Sequence, residues 1–317
     1  MTTVLMFPGQ SSCHAQMLTR IVSAWPPAAA VIAEASDILS RDLGRHYLPD
    51  NTAIFARNRD IQVGVFLCSY LHQRALAARG VGGDLSLGLS LGEYNHLVHI
   101  GALDFPTALR LVDARGAAYD DGPESMMASI FPMSVEEIEP YLALARAVGV
   151  VDVANLNSPS QNVIAGERAA VEAAIALIEE EAPEVQAVVI ERRIPTHTPV
   201  FRPVAAALAP HLEAAPWQVP ALPYVANVLG EMIAEADGAT IARLLRRHVY
   251  SPVRWRHSID LLATRYPDAR FVEVGPGAVL FNLLQRRWHA NPKYRTDTPD
   301  CRIPVPEQGF ASAVHGR

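Results

Sequence analysis

The apolar positions of the chain alternate between short continuous runs and helical repeats. Residues 4–7 form a short apolar run, which predicts a buried strand, and residues 83–87 are also predicted to form a short buried strand. Apolar residues recur at helical spacing over 61–79, 93–100 and 106–119, which predicts helices there. Strands that alternate with helices in this way favour a parallel sheet with helices covering its faces.

The pattern changes after residue 125. From 126 to 197 the chain is predicted to form strand, helix, strand, strand, helix and strand, which is the ferredoxin-like order. The first helix of this region has Ser134 at its predicted N-cap and Glu137 three residues later, the pair that forms a capping box. Beyond this region the predicted helices cover 201–214, 239–248 and 278–288, and the predicted strands cover 224–227 and 271–274.

These elements predict an α/β fold. It consists of a large α/β-hydrolase-like domain with a parallel sheet, plus an inserted small ferredoxin-like α+β subdomain. The large catalytic domain is expected to comprise residues 1–125 and 198–290, and the subdomain residues 126–197. Residues 291–317 are polar and rich in proline, so they predict a C-terminal tail.

The composition narrows the class of protein. The 317 residues are 50% apolar and 19% charged, enough for one large domain with an insert. A net charge of -6 argues against a general nucleic-acid binder, although arginines cluster at 243–247, 254–256 and 286–287. The 3 cysteines form no CxxC pair, so neither a zinc site nor a disulfide framework is predicted. The N-terminus lacks the basic segment of a signal peptide and no apolar run reaches the ~18 residues of a membrane span, so a cytoplasmic protein without a membrane partner is expected.

The pentapeptide Gly88-Leu89-Ser90-Leu91-Gly92 has the form of a nucleophile elbow, in which a serine occupies a sharp turn between a strand and a helix. A side chain at either glycine would crowd this strained turn. The first amides of the next helix are then aimed at the reacting centre, where they can stabilise an oxyanion. This motif indicates acyl transfer through a covalent serine ester.

A nucleophilic serine needs a base within hydrogen-bonding reach. His197 is the strongest candidate because Pro195 and Pro199 hold it in a defined loop after a predicted strand. A standard α/β-hydrolase would instead use a late histidine, and the late candidates are His289 and His315. Neither follows a strand that could bring it to the serine, which weakens that alternative without excluding it.

Short motifs surround this serine and histidine in a fixed order along the chain. They are Phe7-Pro8-Gly9-Gln10, the elbow continued by Glu93-Tyr94, the segment 108–116, Asn157-Ser158-Pro159, Ile164-Ala165-Gly166-Glu167, His197-Thr198-Pro199, Ser251-Pro252-Val253-Arg254-Trp255 and Glu273-Val274-Gly275-Pro276-Gly277. In this order they resemble the malonyl-CoA:acyl-carrier-protein transacylases, which include the acyltransferase domains of polyketide synthases and their free-standing versions. The resemblance extends from about residue 4 to residue 288.

The resemblance implies a role for each matching residue. Ser90 would be the nucleophile and His197 its base, so that the two form a dyad. Gln10 and the backbone amide of Leu91 would form the oxyanion hole. The backbone carbonyl of His248 would orient the imidazole in place of an aspartate.

The resemblance also assigns Arg115 to the free carboxylate of a malonyl-type acyl group. This role suits arginine, because its planar guanidinium binds a carboxylate through two parallel hydrogen bonds and stays charged at any working pH.

The sequence departs from the family pattern at four places. Leu89 stands where histidine is usual, and His248 where glutamine is usual. The loop after Gln10 continues Ser-Ser-Cys in place of a glycine-rich run. Thr196 precedes His197 where malonyl-selective members usually carry Phe and methylmalonyl-selective members Ser. Leu89, Thr196 and His248 are therefore expected to face the substrate, and Thr leaves more room at the acyl α-carbon than Phe.

The implied function is transfer of a malonyl-type acyl group from CoA to the phosphopantetheine thiol of an acyl carrier protein. The enzyme would act in trans in polyketide or fatty-acid biosynthesis, with acyl-CoA as substrate, no metal and no cofactor of its own. Carrier proteins are generally acidic, so the arginine clusters would steer their approach. The alternatives are a hydrolase that clears acyl groups from carriers, a transferase of an unusual acyl unit between carriers, and a non-catalytic docking protein.

Overall fold

The computed structural model describes residues 1–191, 197–284 and 288–298. The helices in this part are α1 Met17–Ala24, α2 Ala28–Leu39, α3 Leu43–His46, α4 Asn58–Ala78, α5 Gly92–His99, α6 Phe105–Asp120, α7 Val135–Ala145, α8 Arg168–Glu181, α9 Arg202–Ala214, α10 Gly238–His248, α11 Trp255–Arg265 and α12 Val279–Leu283, with short 3-10 helices at Gln10–Ser12, Thr52–Ala56 and Pro199–Phe201. The strands are β1 Thr3–Phe7, β2 Leu85–Gly88, β3 Met126–Phe131, β4 Val151–Ser158, β5 Gln161–Gly166, β6 Gln186–Glu191, β7 Tyr224–Ala226, β8 Glu231–Ile233, β9 Arg270–Glu273 and β10 Lys293–Arg295.

A parallel sheet forms the centre of the larger unit, with the strand order β10-β9-β1-β2. Side chains of β1 alternate between two cores, as successive residues of a strand must. Leu5 and Phe7 join the core that contains α4 and α6, whereas Val4 and Met6 join the core that contains α11 and α12. Helices therefore cover both faces, and the mixed α/β fold with a parallel sheet is confirmed.

A second, antiparallel sheet has the order β4-β5-β3-β6 and carries α7 and α8 on one face. Those two helices and that face form a separate core around Ile130, Ile138 and Ile164. Strand β4 joins the larger unit at Val253, whose amide donates to the Ala154 carbonyl at 2.8 Å. The opposite face of the sheet is consequently free to form one wall of a cleft.

The capping box predicted at the start of α7 is confirmed. The Ser134 hydroxyl accepts a hydrogen bond from the Glu137 amide, and the Glu137 carboxylate accepts one from the Ser134 amide. The two side chains therefore satisfy amides that the first turn of the helix leaves unpaired.

Two predictions near the C-terminus differ from the structure. The helix predicted over 278–288 ends at Leu283. Residues 293–295, predicted to begin a tail, form β10 at the edge of the parallel sheet. A three-residue edge strand that contains Lys293 and Arg295 lacks the apolar pattern that reveals a buried strand, which explains the missed assignment. No helix within 1–191, 197–284 or 288–298 is both long and apolar enough to cross a bilayer.

Candidate active site

Ser90 lies on the turn between the end of β2 and the start of α5. Its φ of 52° is in the left-handed region, which is uncommon for a residue with a side chain. Its amide donates to Asn227 Oδ1 at 2.9 Å, and this bond holds the turn. A Cβ at Gly92 would lie 2.1 Å from the Phe7 carbonyl oxygen, and one at Gly88 would lie 2.0 Å from the Gly92 carbonyl carbon. The two glycines are therefore required by close contacts between backbone atoms.

We expect Gly92→Ala to lower the free energy of unfolding by at least ~2 kcal/mol, because the added methyl group meets backbone that cannot turn away. Chemical denaturation measures this change. Gly82→Ala is the matched control, since a Cβ at Gly82 meets no atom within 4 Å. Equal stability of the two variants would contradict the steric argument.

The structure brings Ser90 and His197 together, as predicted. Ser90 Oγ lies 2.8 Å from His197 Nε2, and His197 Nδ1 lies 2.7 Å from the backbone carbonyl oxygen of His248. A carbonyl can only accept, so His197 carries its proton on Nδ1 and presents the Nε2 lone pair to the serine hydroxyl. This tautomer is the one that can accept the Ser90 proton.

The His197 imidazole is buried, with 5% of its surface exposed. Burial lowers its pKa well below the usual value, and the nearby His248 and Arg115 lower it further. His197 is therefore neutral at neutral pH and able to act as a general base.

Arg115 extends from α6 to the nucleophile and is almost completely buried, at 2% exposure. Its Nη2 donates to Ser90 Oγ at 3.2 Å and its Nη1 donates to Gln62 Oε1 at 2.6 Å, while the guanidinium carbon lies 4.3 Å from the centre of the Tyr119 ring. Across the described ranges, no Asp or Glu side chain forms an ion pair with Arg115. A buried cation without a counter-ion is costly, so this position is suited to an anionic ligand.

Gln10 reaches the same site through side chains of α4. Gln62 Nε2 donates to Gln10 Oε1 at 3.0 Å, and Gln10 Nε2 donates to Asn58 Oδ1 at 3.3 Å. The Gln10 side chain is thus fixed, and its backbone borders the pocket of Ser90. The Leu91 side chain is fully buried in the core, so only its backbone can take part in the site.

A pocket of about 370 Å³ opens beside Ser90, between the two sheets. Gln10, Leu89, Ser90 and His197 line one side. The opposite wall comes from the free face of the antiparallel sheet and includes Met127, Ser129, Phe131, Asn155, Asn157, Gln161, Val163, Val188 and Ile190. Val188 and Ile190 are 49% and 42% exposed, so this wall offers apolar surface to a ligand. Both folding units are therefore needed to make the pocket.

The remaining predicted site residues have different outcomes. The His248 side chain does not face the pocket; it is buried beside Glu93, with His248 Nδ1 2.8 Å from Glu93 Oε2. His289 contacts Asp260 Oδ1 at 2.9 Å, so its imidazole has a partner of its own. Thr196 and His315 lie outside the described residues.

Sequence reasoning missed Gln62, which orients Arg115, and Asn227, which binds the Ser90 amide. Gln62 is fully buried in α4, but this helix also buries Asn58, Asp60, Ser69 and His72, so a buried polar position did not single it out.

The chain is similar to known proteins over most of its length. Residues 4–306 match the family model of the acyl transferase domain. The chain belongs to this acyl transferase family. It is 34% identical over 301 residues to the malonyl CoA-acyl carrier protein transacylase of Haemophilus influenzae, covering 89% of this chain and 91% of that protein. The corresponding transacylase of Bacillus subtilis is 30% identical over 285 residues, covering 89% of each chain.

Solved structures of relatives agree with this acyl transferase over nearly its whole length. The malonyl-CoA:acyl carrier protein transacylase of Xanthomonas oryzae superposes with a TM-score of 0.88 at 31% identity, covering 94% of this chain and 95% of that one. A malonyl-transacylase solved in complex with its type II polyketide synthase acyl-carrier protein gives a TM-score of 0.86 at 30% identity, covering 95% and 98%.

Proposed function

We propose that this acyl transferase moves a malonyl-type acyl group from CoA, through an ester on Ser90, to the phosphopantetheine thiol of an acyl carrier protein. The observation that carries the proposal is the buried Arg115 guanidinium, 3.2 Å from Ser90 Oγ and without a carboxylate partner in the described part of the chain. A dicarboxylic acyl group supplies both an electrophilic carbonyl for the serine and a carboxylate for the arginine.

In the loading half-reaction, His197 Nε2 takes the Ser90 proton while Ser90 Oγ attacks the thioester carbonyl. Gln10 and the backbone amide of Leu91 stabilise the oxyanion that forms. Collapse of this intermediate breaks the carbon–sulfur bond, and His197 returns the proton to the departing CoA thiolate. In the second half-reaction His197 deprotonates the carrier thiol, which attacks the ester and releases Ser90 with its proton restored.

Arg115 selects the acyl group in this mechanism. Its guanidinium binds the free carboxylate of the acyl unit through paired hydrogen bonds, while Gln62 holds Nη1 in place. Leu89 borders the pocket with an apolar side chain. Threonine precedes His197 where malonyl-selective members usually carry the larger Phe, so we extend the proposal to branched malonyl units as well as malonyl itself.

The partner and setting complete the proposal. An acidic carrier protein approaches a surface rich in exposed arginines, which include Arg243, Arg246 and Arg254. We interpret the larger unit as α/β-hydrolase-like and the antiparallel unit, with its β4-β5-β3-β6 order, as ferredoxin-like. The reaction uses no metal and no cofactor of its own, and it belongs to cytoplasmic polyketide or fatty-acid biosynthesis.

Incubation with malonyl-, methylmalonyl-, succinyl-, acetyl- and butyryl-CoA, followed by intact-protein mass spectrometry, tests the proposal. We expect the malonyl-type donors to add their acyl mass to Ser90 and a holo carrier protein to remove it. A preference for acetyl or butyryl would contradict the role of Arg115. Loss of the ester to water faster than to the carrier would instead favour the hydrolase that clears acyl groups, since a transferase holds its ester until a thiol arrives.

A further inference from the structure

A buried carboxylate, Glu93, lies three residues after the nucleophile and takes no part in the mechanism above. Its side chain is 1% exposed. Oε1 accepts hydrogen bonds from the Tyr224 hydroxyl at 2.7 Å and from the Asn227 amide at 3.1 Å, while Oε2 lies 2.8 Å from His248 Nδ1. Burial of a carboxylate is costly unless its surroundings compensate, and here two donors bind Oε1 while the His248 ring lies at ion-pairing distance from Oε2.

One branch of these contacts leads to the nucleophile. Asn227 Oδ1 accepts the Ser90 amide, and Asn227 Nδ2 donates to the Gly88 carbonyl at 2.6 Å. The single Asn227 side chain thus bonds the turn on both sides of Leu89. Because Glu93 binds the backbone amide of Asn227, it fixes the residue that holds the strained serine.

The other branch leads to the base. His248 is 3% exposed, and its backbone carbonyl accepts a hydrogen bond from His197 Nδ1. Its imidazole also stacks on that of His197, with ring centres 4.6 Å apart and planes 14° from parallel. Glu93 therefore fixes, through the His248 side chain, the residue whose carbonyl and ring both contact the base.

We propose that Glu93 is a positioning residue that ties the two halves of the Ser90–His197 dyad together, through Asn227 to the serine and through His248 to the histidine. The inference rests on the proposed function only in requiring that Ser90 and His197 react as a pair. It differs from a catalytic triad, since the carboxylate touches neither reacting side chain and the carbonyl of His248 stands between.

The stacking of His248 on His197 affects the pH dependence of Ser90 reactivity. Among the described residues, Glu93 on α5 lies against the His248 ring and Arg115 on α6 acts on His197, while Tyr224 on β7 reaches this group only through its hydrogen bond to Glu93. His248 lowers the pKa of His197, so its removal raises that pKa. Ser90 reacts only when His197 is neutral. The midpoint of Ser90 reactivity must therefore lie at a higher pH once His248 is replaced.

The test uses His248→Gln, which keeps the backbone carbonyl and offers a side-chain amide to Glu93. Wild type and variant are labelled at Ser90 with a fluorophosphonate, which needs no acyl donor, and intact mass gives the rate as a function of pH. We expect the acid midpoint to move to higher pH in His248→Gln, because the variant removes the coulombic effect of the His248 ring that lowers the pKa of His197 and keeps the backbone carbonyl. His257→Gln, which removes a histidine of α11 outside the dyad, should match wild type.

An unchanged midpoint in His248→Gln, or an equal shift in both variants, would overturn the link to the base.

Glu93→Gln tests the other branch. Glutamine is neutral and has one acceptor oxygen in place of two, so labelling should slow at least tenfold at pH values where His197 is neutral, whereas Tyr224→Phe should slow it less. A folded Glu93→Gln protein that labels at the wild-type rate would overturn the inference, and if this variant does not fold, His248→Gln still decides. Failure of wild-type Ser90 to label at any pH would show that Ser90 and His197 do not react as a pair. Normal labelling without malonyl loading would contradict only the proposed function, because it would show that the pair is reactive.

Discussion

Ser90→Ala is expected to abolish the mass increase that malonyl-CoA produces on the intact protein. The hydroxyl oxygen is the atom that becomes esterified, and it lies 2.8 Å from His197 Nε2. The change removes one oxygen from a turn held by backbone contacts, so the fold should remain. Mass spectrometry after a short incubation measures the loading rate. We expect this rate to fall at least about a thousandfold in Ser90→Ala.

Ser134→Ala is a suitable control, because this serine caps α7 and does not border the pocket. It should form the adduct as the wild type does, with only the stability cost of a lost cap, about 1 kcal/mol. A malonyl adduct that persists in Ser90→Ala would show that another side chain carries the acyl group, and the proposed mechanism would be wrong.

Arg115→Ala is expected to reduce malonyl loading by at least a factor of roughly 10 to 100, the loss that corresponds to a single charge-assisted hydrogen bond of about 1.5–3 kcal/mol. Loading with acetyl-CoA, which has no second carboxylate, should change far less. The measured quantity is the ratio of the two loading rates. The residual effect on acetyl reports the lost contact between Nη2 and Ser90 Oγ.

Arg110→Ala is the matched control, since Arg110 lies on the same helix but is exposed. Its ratio of malonyl to acetyl loading should equal that of the wild type. Arg115→Lys should restore only part of the malonyl rate, because an ammonium keeps the charge but lacks the fork. Equal losses for malonyl and acetyl in Arg115→Ala would remove the proposed selectivity role.

Much of the fold could be predicted wherever apolar periodicity is strong. Strand β1, helices α4 and α6, and the order of elements from β3 to β6 are where the sequence placed them, within a few residues. These elements bury one or both faces, so their composition records their environment. Helix α3, with four residues, and strand β10, at the sheet edge, bury too little to leave such a record.

The candidate site was predictable where a motif encodes geometry. The elbow requires glycine on both sides of Ser90, and the structure gives the steric reason. Asn227 and Gln62 were harder to predict. In the sequence, Asn227 is 137 positions from Ser90, and Gln62 is 53 positions from Arg115. An isolated buried amide carries no spacing rule, so only the folded arrangement reveals it. The role predicted for the His248 side chain, facing substrate, was wrong because its ring turns inward to Glu93.

The reacting residues and the apolar wall of the pocket come from different folding units. The serine, the imidazole and the arginine belong to the parallel-sheet unit, whereas Val188, Ile190 and Phe131 belong to the antiparallel one. Substitutions on that apolar wall can reshape the space for an acyl chain while the reacting groups keep their spacing. New acyl specificities can thus evolve through substitutions on one wall of the cleft, while the reacting residues stay the same.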